Sequence, residues 1–226
     1  MTEHHFDSRR EASEAAAARI VELLANRLEH QGRASLVVSG GTTPSQCFAK
    51  LAAASLEWDR VDVLLSDERW VPQDHEDSNE RQAREALLID RAAAATLVPV
   101  YSEGLSPQER CDELQDPLPE LPFSCALVGM GTDGHFASLF PDADNLEPGL
   151  DVESGQLYVP IETDSSPHTR ISMTLAGISR SDEIALLMFG EEKLEVFNKA
   201  KELANGFPVS RLLRQKRAPV RVFWAP

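Results

Sequence analysis

The feature that most constrains the fold is the alternation of short apolar runs with amphipathic segments. Amphipathic helices are predicted at about 8–30, after Pro44, at about 77–88, from Ser106 and over 191–203. The predicted buried strands are Leu36–Val38, Val61–Leu65, Leu97–Val100, Cys125–Val128, Ile171–Thr174, Ile184–Phe189 and Val220–Trp224. Such alternation predicts a Rossmann-like α/β fold, with a mostly parallel central sheet and helices on both faces. We expect one domain over residues 1–226.

Local signals place the ends of two helices. Ser8 and Glu11 have the spacing of a capping box, and Gly32 is expected to end the first helix. Pro44 suits the first turn of the second helix, with Thr43 as its N-cap. The residues before Ser8 are expected to fray.

Charge and cysteine content limit the partners. The 226 residues carry a formal net charge of −15, which repels nucleic acid and anionic membranes. No run of about 18 apolar residues and no signal-like N-terminus is present. Three cysteines without metal or disulfide spacing indicate a reducing, cytoplasmic compartment. The sequence allows a monomer or a small homo-oligomer. An anionic substrate would need a local positive pocket.

Ligands of open α/β sheets bind at the carboxyl ends of strands, so the loops there are the candidate sites. The first contains Gly40, Gly41 and Thr42. Adjacent glycines allow close backbone approach, and hydroxyls with helix-start amides suit an anion. The alternative is an ordinary strand-to-helix turn. Neither phosphate-loop nor dinucleotide spacing is present, so nucleotide binding is not supported.

The second loop places Asp67, Glu68 and Arg69 directly after an apolar strand. Charges at such a point are costly unless they are paired or used. They indicate either an Asp–Arg ion pair that closes the turn or a functional group. The following Asp77-Ser78-Asn79 segment caps the next helix in the simplest interpretation, although Asn79 could reach into the cleft.

The third loop, 129–141, is rich in glycine and contains Asp133 and His135. Histidine titrates near neutral pH and is a frequent general base, and a nearby acid can fix its tautomer. A structural histidine is the alternative. Arg170 and Lys193 are candidates for the positive pocket, Lys193 because a cation in the first helical turn opposes the macrodipole. No metal spacing or GxSxG nucleophile elbow is present.

Six segments together, in this order, resemble the 6-phosphogluconolactonase family. They are SGGTTP at 39–44, SDERWVP at 66–72, DSN at 77–79, GMGTDGHFASLFP at 129–141, RISMT at 170–174 and GEEK at 190–193. The resemblance implies hydrolysis of 6-phosphoglucono-δ-lactone to 6-phosphogluconate in the oxidative pentose phosphate pathway. It implies no cofactor and no metal.

The resemblance also implies roles for individual residues. His135 would be the general base that activates water, with no covalent intermediate, and Asp133 would orient it or serve the turn. Gly40, Gly41, Thr42, Arg170 and Lys193 would hold the phosphate. Arg69 would lie near the lactone carbonyl or the phosphate. Asp67 would orient Arg69 or bind a sugar hydroxyl.

Two other functions remain open. Glucosamine-6-phosphate deaminases are similar in the glycine loop and the Asp-Gly-His core. They differ at the second loop, where they carry Asp-Glu-Tyr and this chain has Asp67-Glu68-Arg69. They also place an acid in a Phe-Asn-Glu-Pro segment, where this chain has 138–141, Ser-Leu-Phe-Pro. The other alternative is a non-catalytic sugar-phosphate sensor.

Overall fold

The computed structural model describes residues 1–115, 122–203 and 206–226. Its strands are β1 (Thr2–His5), β2 (Ala34–Val38), β3 (Val61–Leu65), β4 (Asp67–Arg69), β5 (Thr96–Leu97), β6 (Cys125–Val128), β7 (Tyr158–Ile161), β8 (Arg170–Met173), β9 (Ile184–Phe189) and β10 (Val220–Ala225). Its α-helices are α1 (Arg9–Gln31), α2 (Ser45–Ala52), α3 (Asn79–Ala86), α4 (Pro107–Leu114), α5 (Leu146–Leu150), α6 (Leu175–Ile178), α7 (Glu191–Glu202) and α8 (Pro208–Arg214).

The central sheet has seven strands in the order β1-β10-β9-β6-β2-β3-β5, and every neighbouring pair is parallel. The predicted α/β class with a mostly parallel sheet is confirmed. All residues of β2 and β6 are buried, as expected for continuous apolar strands inside a covered sheet. Helix α1 contacts β2, β6, β9 and β10. Its buried face includes Ala16, Ile20 and Leu24.

Helix α1 begins and ends close to the predicted residues. The Ser8 hydroxyl accepts a hydrogen bond from the Glu11 amide at 3.2 Å, and Gly32 takes the left-handed conformation with φ of 74°. The return bond from the Glu11 side chain is not among those of the described residues. At α4, by contrast, Ser106 and Glu109 form the complete capping box. No helix in the described ranges is both long and apolar enough to cross a membrane.

Three local predictions were wrong. The N-terminus does not fray, because β1 pairs in parallel with β10 along its whole length. Thr43 does not cap α2, since Pro44 occupies the N-cap position and no side chain caps the helix. The predicted strand Leu97–Val100 is limited to Thr96–Leu97, which pairs with β3 for only two residues.

A second sheet, absent from the sequence prediction, stands beside the first. It is antiparallel, in the order β4-β8-β7. Its register places Asp67 opposite Ser172 and Arg69 opposite Arg170. Directly opposed residues point to the same face, so two guanidinium groups share one face of this sheet. The charged segment directly after β3 was predicted as a loop, but it forms the short strand β4.

Candidate active site

The site forms where four neighbouring strands of the central sheet end. Strands β9, β6, β2 and β3 are adjacent in the sheet. From β2 the chain continues to β3 on one side of β2, whereas the later strand β6 pairs with the other side of β2. This reversal is the topological switch point at which α/β folds bind ligands. A cavity of about 380 Å³ lies there. Eight of the nine predicted site residues line it: Gly40, Gly41, Thr42, Asp67, Arg69, His135, Arg170 and Lys193.

The ninth residue, Asp133, lies behind the histidine. Its Oδ1 is 2.6 Å from His135 Nδ1 and accepts a further bond from the His135 amide at 3.1 Å. Burial acts to raise the pKa of Asp133, but the hydrogen bond and charge of His135 outweigh it, so this pKa is below its ordinary value. An ionised carboxylate therefore holds Nδ1, which leaves Nε2 as the nitrogen available to a ligand.

Gly131 is required for this contact. A Cβ at Gly131 would lie 2.3 Å from His135 Nδ1 and 2.5 Å from Asp133 Oδ1. Because these distances are shorter than any real Cβ contact, a side chain would displace the imidazole or the carboxylate. On the other side, the His135 ring packs against Phe140, with 4.3 Å between ring centroids. The imidazole is therefore fixed in orientation before any ligand binds.

Asp67 is buried, and its ion-pair partner is not Arg69, the arginine of the same turn that the sequence suggested. Its carboxylate accepts hydrogen bonds from Ser66 Oγ at 2.9 Å and Ser138 Oγ at 2.6 Å. The ion-pair partner is Arg170, whose Nη1 is 3.6 Å from Asp67 Oδ2. The Asp–Arg pair within the turn is thus not formed, because β4 pairing brings Arg170 of β8 to this carboxylate instead.

Three cations surround the cavity despite the net charge of −15. Arg69 donates from Nη1 to the Asp77 carbonyl, and its buried Nε has no hydrogen-bond partner. Burial lowers the pKa of Arg170, and Asp67 opposes this effect. Burial also lowers the pKa of Lys193, against the nearby Asp133 carboxylate, which raises it. These desolvated cations create the local positive pocket that an anionic ligand needs.

The glycine loop approaches its neighbours closely. A Cβ at Gly40 would lie 2.0 Å from Asn79 Oδ1, and Gly41 has φ of +87°, so both positions favour glycine. The Gly41 amide donates to Gln82 Oε1 at 2.9 Å and is therefore already engaged. Asn79 does reach the cavity, and its Nδ2 donates to the Asp67 carbonyl at 2.8 Å.

Glu68 was assigned no role from the sequence, yet it organises the wall of the site. Its two carboxylate oxygens accept four hydrogen bonds at 2.7–3.0 Å, from the amides of Arg69, Asn79 and Glu80 and from Ser78 Oγ. Glu68 lies on β4 and is buried, with its carboxylate against the first amides of α3. Only its position between the two candidates Asp67 and Arg69 could have suggested this role, since three of the four donors come from residues 78–80.

Comparison with known proteins identifies the family. Residues 7–224 match the family described as glucosamine-6-phosphate isomerases/6-phosphogluconolactonase. The chain belongs to this family. The 6-phosphogluconolactonase of Caulobacter vibrioides is 37% identical, over 97% of this chain and 95% of its own. That of Mesorhizobium japonicum is 39% identical, over 98% of this chain and 94% of its own.

A solved structure of the family is also similar. The crystal structure of a 6-phosphogluconolactonase from Shewanella baltica is 35% identical to this chain and superposes with a TM-score of 0.94. The match covers 100% of this chain and 98% of the other. The predicted family resemblance is therefore confirmed over nearly the whole chain.

Proposed function

We propose that this chain hydrolyses 6-phosphoglucono-δ-lactone to 6-phosphogluconate, in the cytoplasm. The observation that carries the proposal is the oriented Asp133–His135 pair beside a cavity lined by Arg69, Arg170 and Lys193. Relatives at 37–39% identity bear the name of this activity. The three cysteines are buried free thiols, which fits a reducing compartment.

In the proposed mechanism, His135 is the general base. Asp133 holds Nδ1, so Nε2 takes a proton from water as the water attacks the lactone carbonyl carbon. Arg69 stabilises the negative charge that develops on the carbonyl oxygen, a contribution of about 3–4 kcal/mol for a well-placed donor. The tetrahedral intermediate then expels the ring oxygen, and protonated His135 returns its proton to it. No covalent intermediate with the protein is needed.

In this proposal Lys193 and Arg170 bind the phosphate, together with the hydroxyl of Thr42 and the amide of Gly40. Gly41 contributes the left-handed conformation of the loop, because its own amide donates to Gln82. Two fixed cations suit a dianion, and charge-assisted hydrogen bonds are about twice as strong as neutral ones. Asp67 is engaged by Ser66, Ser138 and Arg170, so its proposed role is to position Arg170.

The direct test is hydrolysis of freshly generated 6-phosphoglucono-δ-lactone, with the spontaneous reaction subtracted. We expect a protein-dependent rate proportional to enzyme concentration and no ammonia released from glucosamine 6-phosphate. At the position of the deaminase acid this chain has Phe140, an apolar side chain that packs against the His135 ring. Ammonia release would support a deaminase instead, and binding of 6-phosphogluconate without turnover would support a sensor.

The Lys193→Met variant tests the phosphate assignment. We expect kcat/KM for the phosphorylated lactone to fall about 10- to 100-fold, since a charge-assisted hydrogen bond contributes roughly 1.5–3 kcal/mol. Activity on unphosphorylated glucono-δ-lactone should change little. Lys199→Met, on an exposed position of the same helix, is the matched control. An equal loss on both lactones would show that Lys193 does not recognise the phosphate.

A further inference from the structure

A second cluster of ligating side chains lies next to the cavity. His75 and Asp77 precede α3, and His168 precedes β8. The structure brings one ligand atom of each residue within 4.8 Å of the others. The imidazole rings of His75 and His168 lie edge to face, with 5.5 Å between centroids. No part of the proposed reaction uses these three residues.

The distances suit a small cation. Asp77 Oδ2 is 2.8 Å from His168 Nε2 and 3.8 Å from His75 Nδ1. Tetrahedral zinc binds nitrogen and oxygen at about 2.0–2.2 Å, which places its ligand atoms roughly 3.4 Å apart. The observed distances lie on both sides of that value. Small rotations of side chains that are 26–48% exposed would therefore bring the three atoms into coordination geometry.

The protonation pattern also suits a metal. The Asp77 amide donates to His75 Nδ1 at 3.1 Å, so this nitrogen is the unprotonated one, and a cation bound to it would replace that hydrogen bond. Between His168 Nε2 and Asp77 Oδ2 lies a single proton, which a cation would replace.

We propose that His75, Asp77 and His168 bind one late first-row divalent cation, such as Zn²⁺, Co²⁺ or Ni²⁺, with water completing its coordination. Two imidazoles and one carboxylate favour these metals, whereas Mg²⁺ and Ca²⁺ prefer oxygen ligands. The chain's net charge of −15 raises the local concentration of cations.

The bound cation would join two segments that support the arginines of the cavity. The Asp77 carbonyl accepts from Arg69. Ser166 Oγ accepts from Arg170 Nε at 2.9 Å and from the His168 amide at 3.3 Å. The cation is thus a clamp between the segment before α3 and the segment before β8, and it takes no part in the reaction.

The test is titration of the full-length protein, freed of metal with a chelator, with Co²⁺ followed by visible absorption and with Zn²⁺ followed by calorimetry. We expect one ion per chain. His168→Gln and His75→Gln should each lower the affinity about tenfold or more, a loss at least equal to that from removing an outer-shell partner. His30→Gln, an exposed histidine at the end of α1, is the matched control and should bind normally.

The His135→Ala variant separates this site from the Asp133–His135 pair. Binding that survives in His135→Ala and is lost in His168→Gln or His75→Gln supports the proposal. Circular dichroism checks that each variant is folded, and either histidine variant alone decides the result if the other does not fold. No binding up to millimolar Co²⁺, or binding lost only in His135→Ala, would overturn it. Because the readout is metal binding, it does not depend on the lactonase activity.

Discussion

Replacement of His135 by alanine is expected to lower kcat/KM for 6-phosphoglucono-δ-lactone by about 10²–10⁴, the usual contribution of a general base. The variant loses the Nε2 that takes the proton from water, while the cations of the cavity remain. KM should change less than kcat, because His135 acts on the attacking water and not on the phosphate. The measurement is steady-state hydrolysis with the spontaneous rate subtracted.

Two controls accompany this experiment. Circular dichroism and thermal unfolding establish that His135→Ala is folded, and His30→Ala should keep full activity because His30 lies exposed at the end of α1. Retention of activity within a few-fold by folded His135→Ala would exclude it as the base. Asp67 would then be the remaining carboxylate on the cavity wall to examine.

The second large effect is expected on stability. Glu68→Gln keeps the shape of a buried side chain but replaces one oxygen with an amide NH₂. Each carboxylate oxygen of Glu68 accepts two hydrogen bonds. In one orientation the amide points its protons at the N–H groups of Arg69 and Asn79, and in the other it faces the Glu80 N–H and the Ser78 hydroxyl. A buried donor without an acceptor costs about 1–3 kcal/mol. We expect the free energy of unfolding to fall by about 2–5 kcal/mol.

Urea unfolding measures this difference, with Glu85→Gln as the matched control. Glu85 lies on α3, the helix whose first amides Glu68 accepts, and it pairs with Arg81 on the exposed surface, so its loss should cost about 0.5 kcal/mol or less. If the two variants lost equal stability, the four-bond arrangement around Glu68 would contribute no more than a surface ion pair.

The parallel sheet was predictable because its inner strands are continuous apolar runs. Strands β4 and β7 were not, for two different reasons. Asp67-Glu68-Arg69 carries charge at every position and becomes a strand only because β8 offers its backbone groups. Strand β7 contains Pro160, which argues against a strand unless it lies at an edge, and β7 is an edge strand of the small sheet. Tertiary pairing determined both elements.

The location of the site followed from the rule that loops at strand ends meet at one edge. Eight predicted residues line one cavity for that reason. The sequence could not give the two distant partners of Asp67, because Ser138 and Arg170 lie 71 and 103 positions away along the chain. Glu68 was missed for the same reason. The roles of these residues remain predictions until the variants are measured.

The register of the small sheet has a thermodynamic consequence. Arg69 and Arg170 stand directly opposite each other, and Arg69 is one cause of the lowered pKa of Arg170. Like charges opposed across two strands destabilise a sheet. An anion that binds between the two guanidinium groups would relieve this repulsion. Any ligand that binds only the native state raises the free energy of unfolding. Inorganic phosphate is an anion of this kind, so we expect the melting temperature of this protein to be higher in phosphate buffer than in a buffer without a small anion.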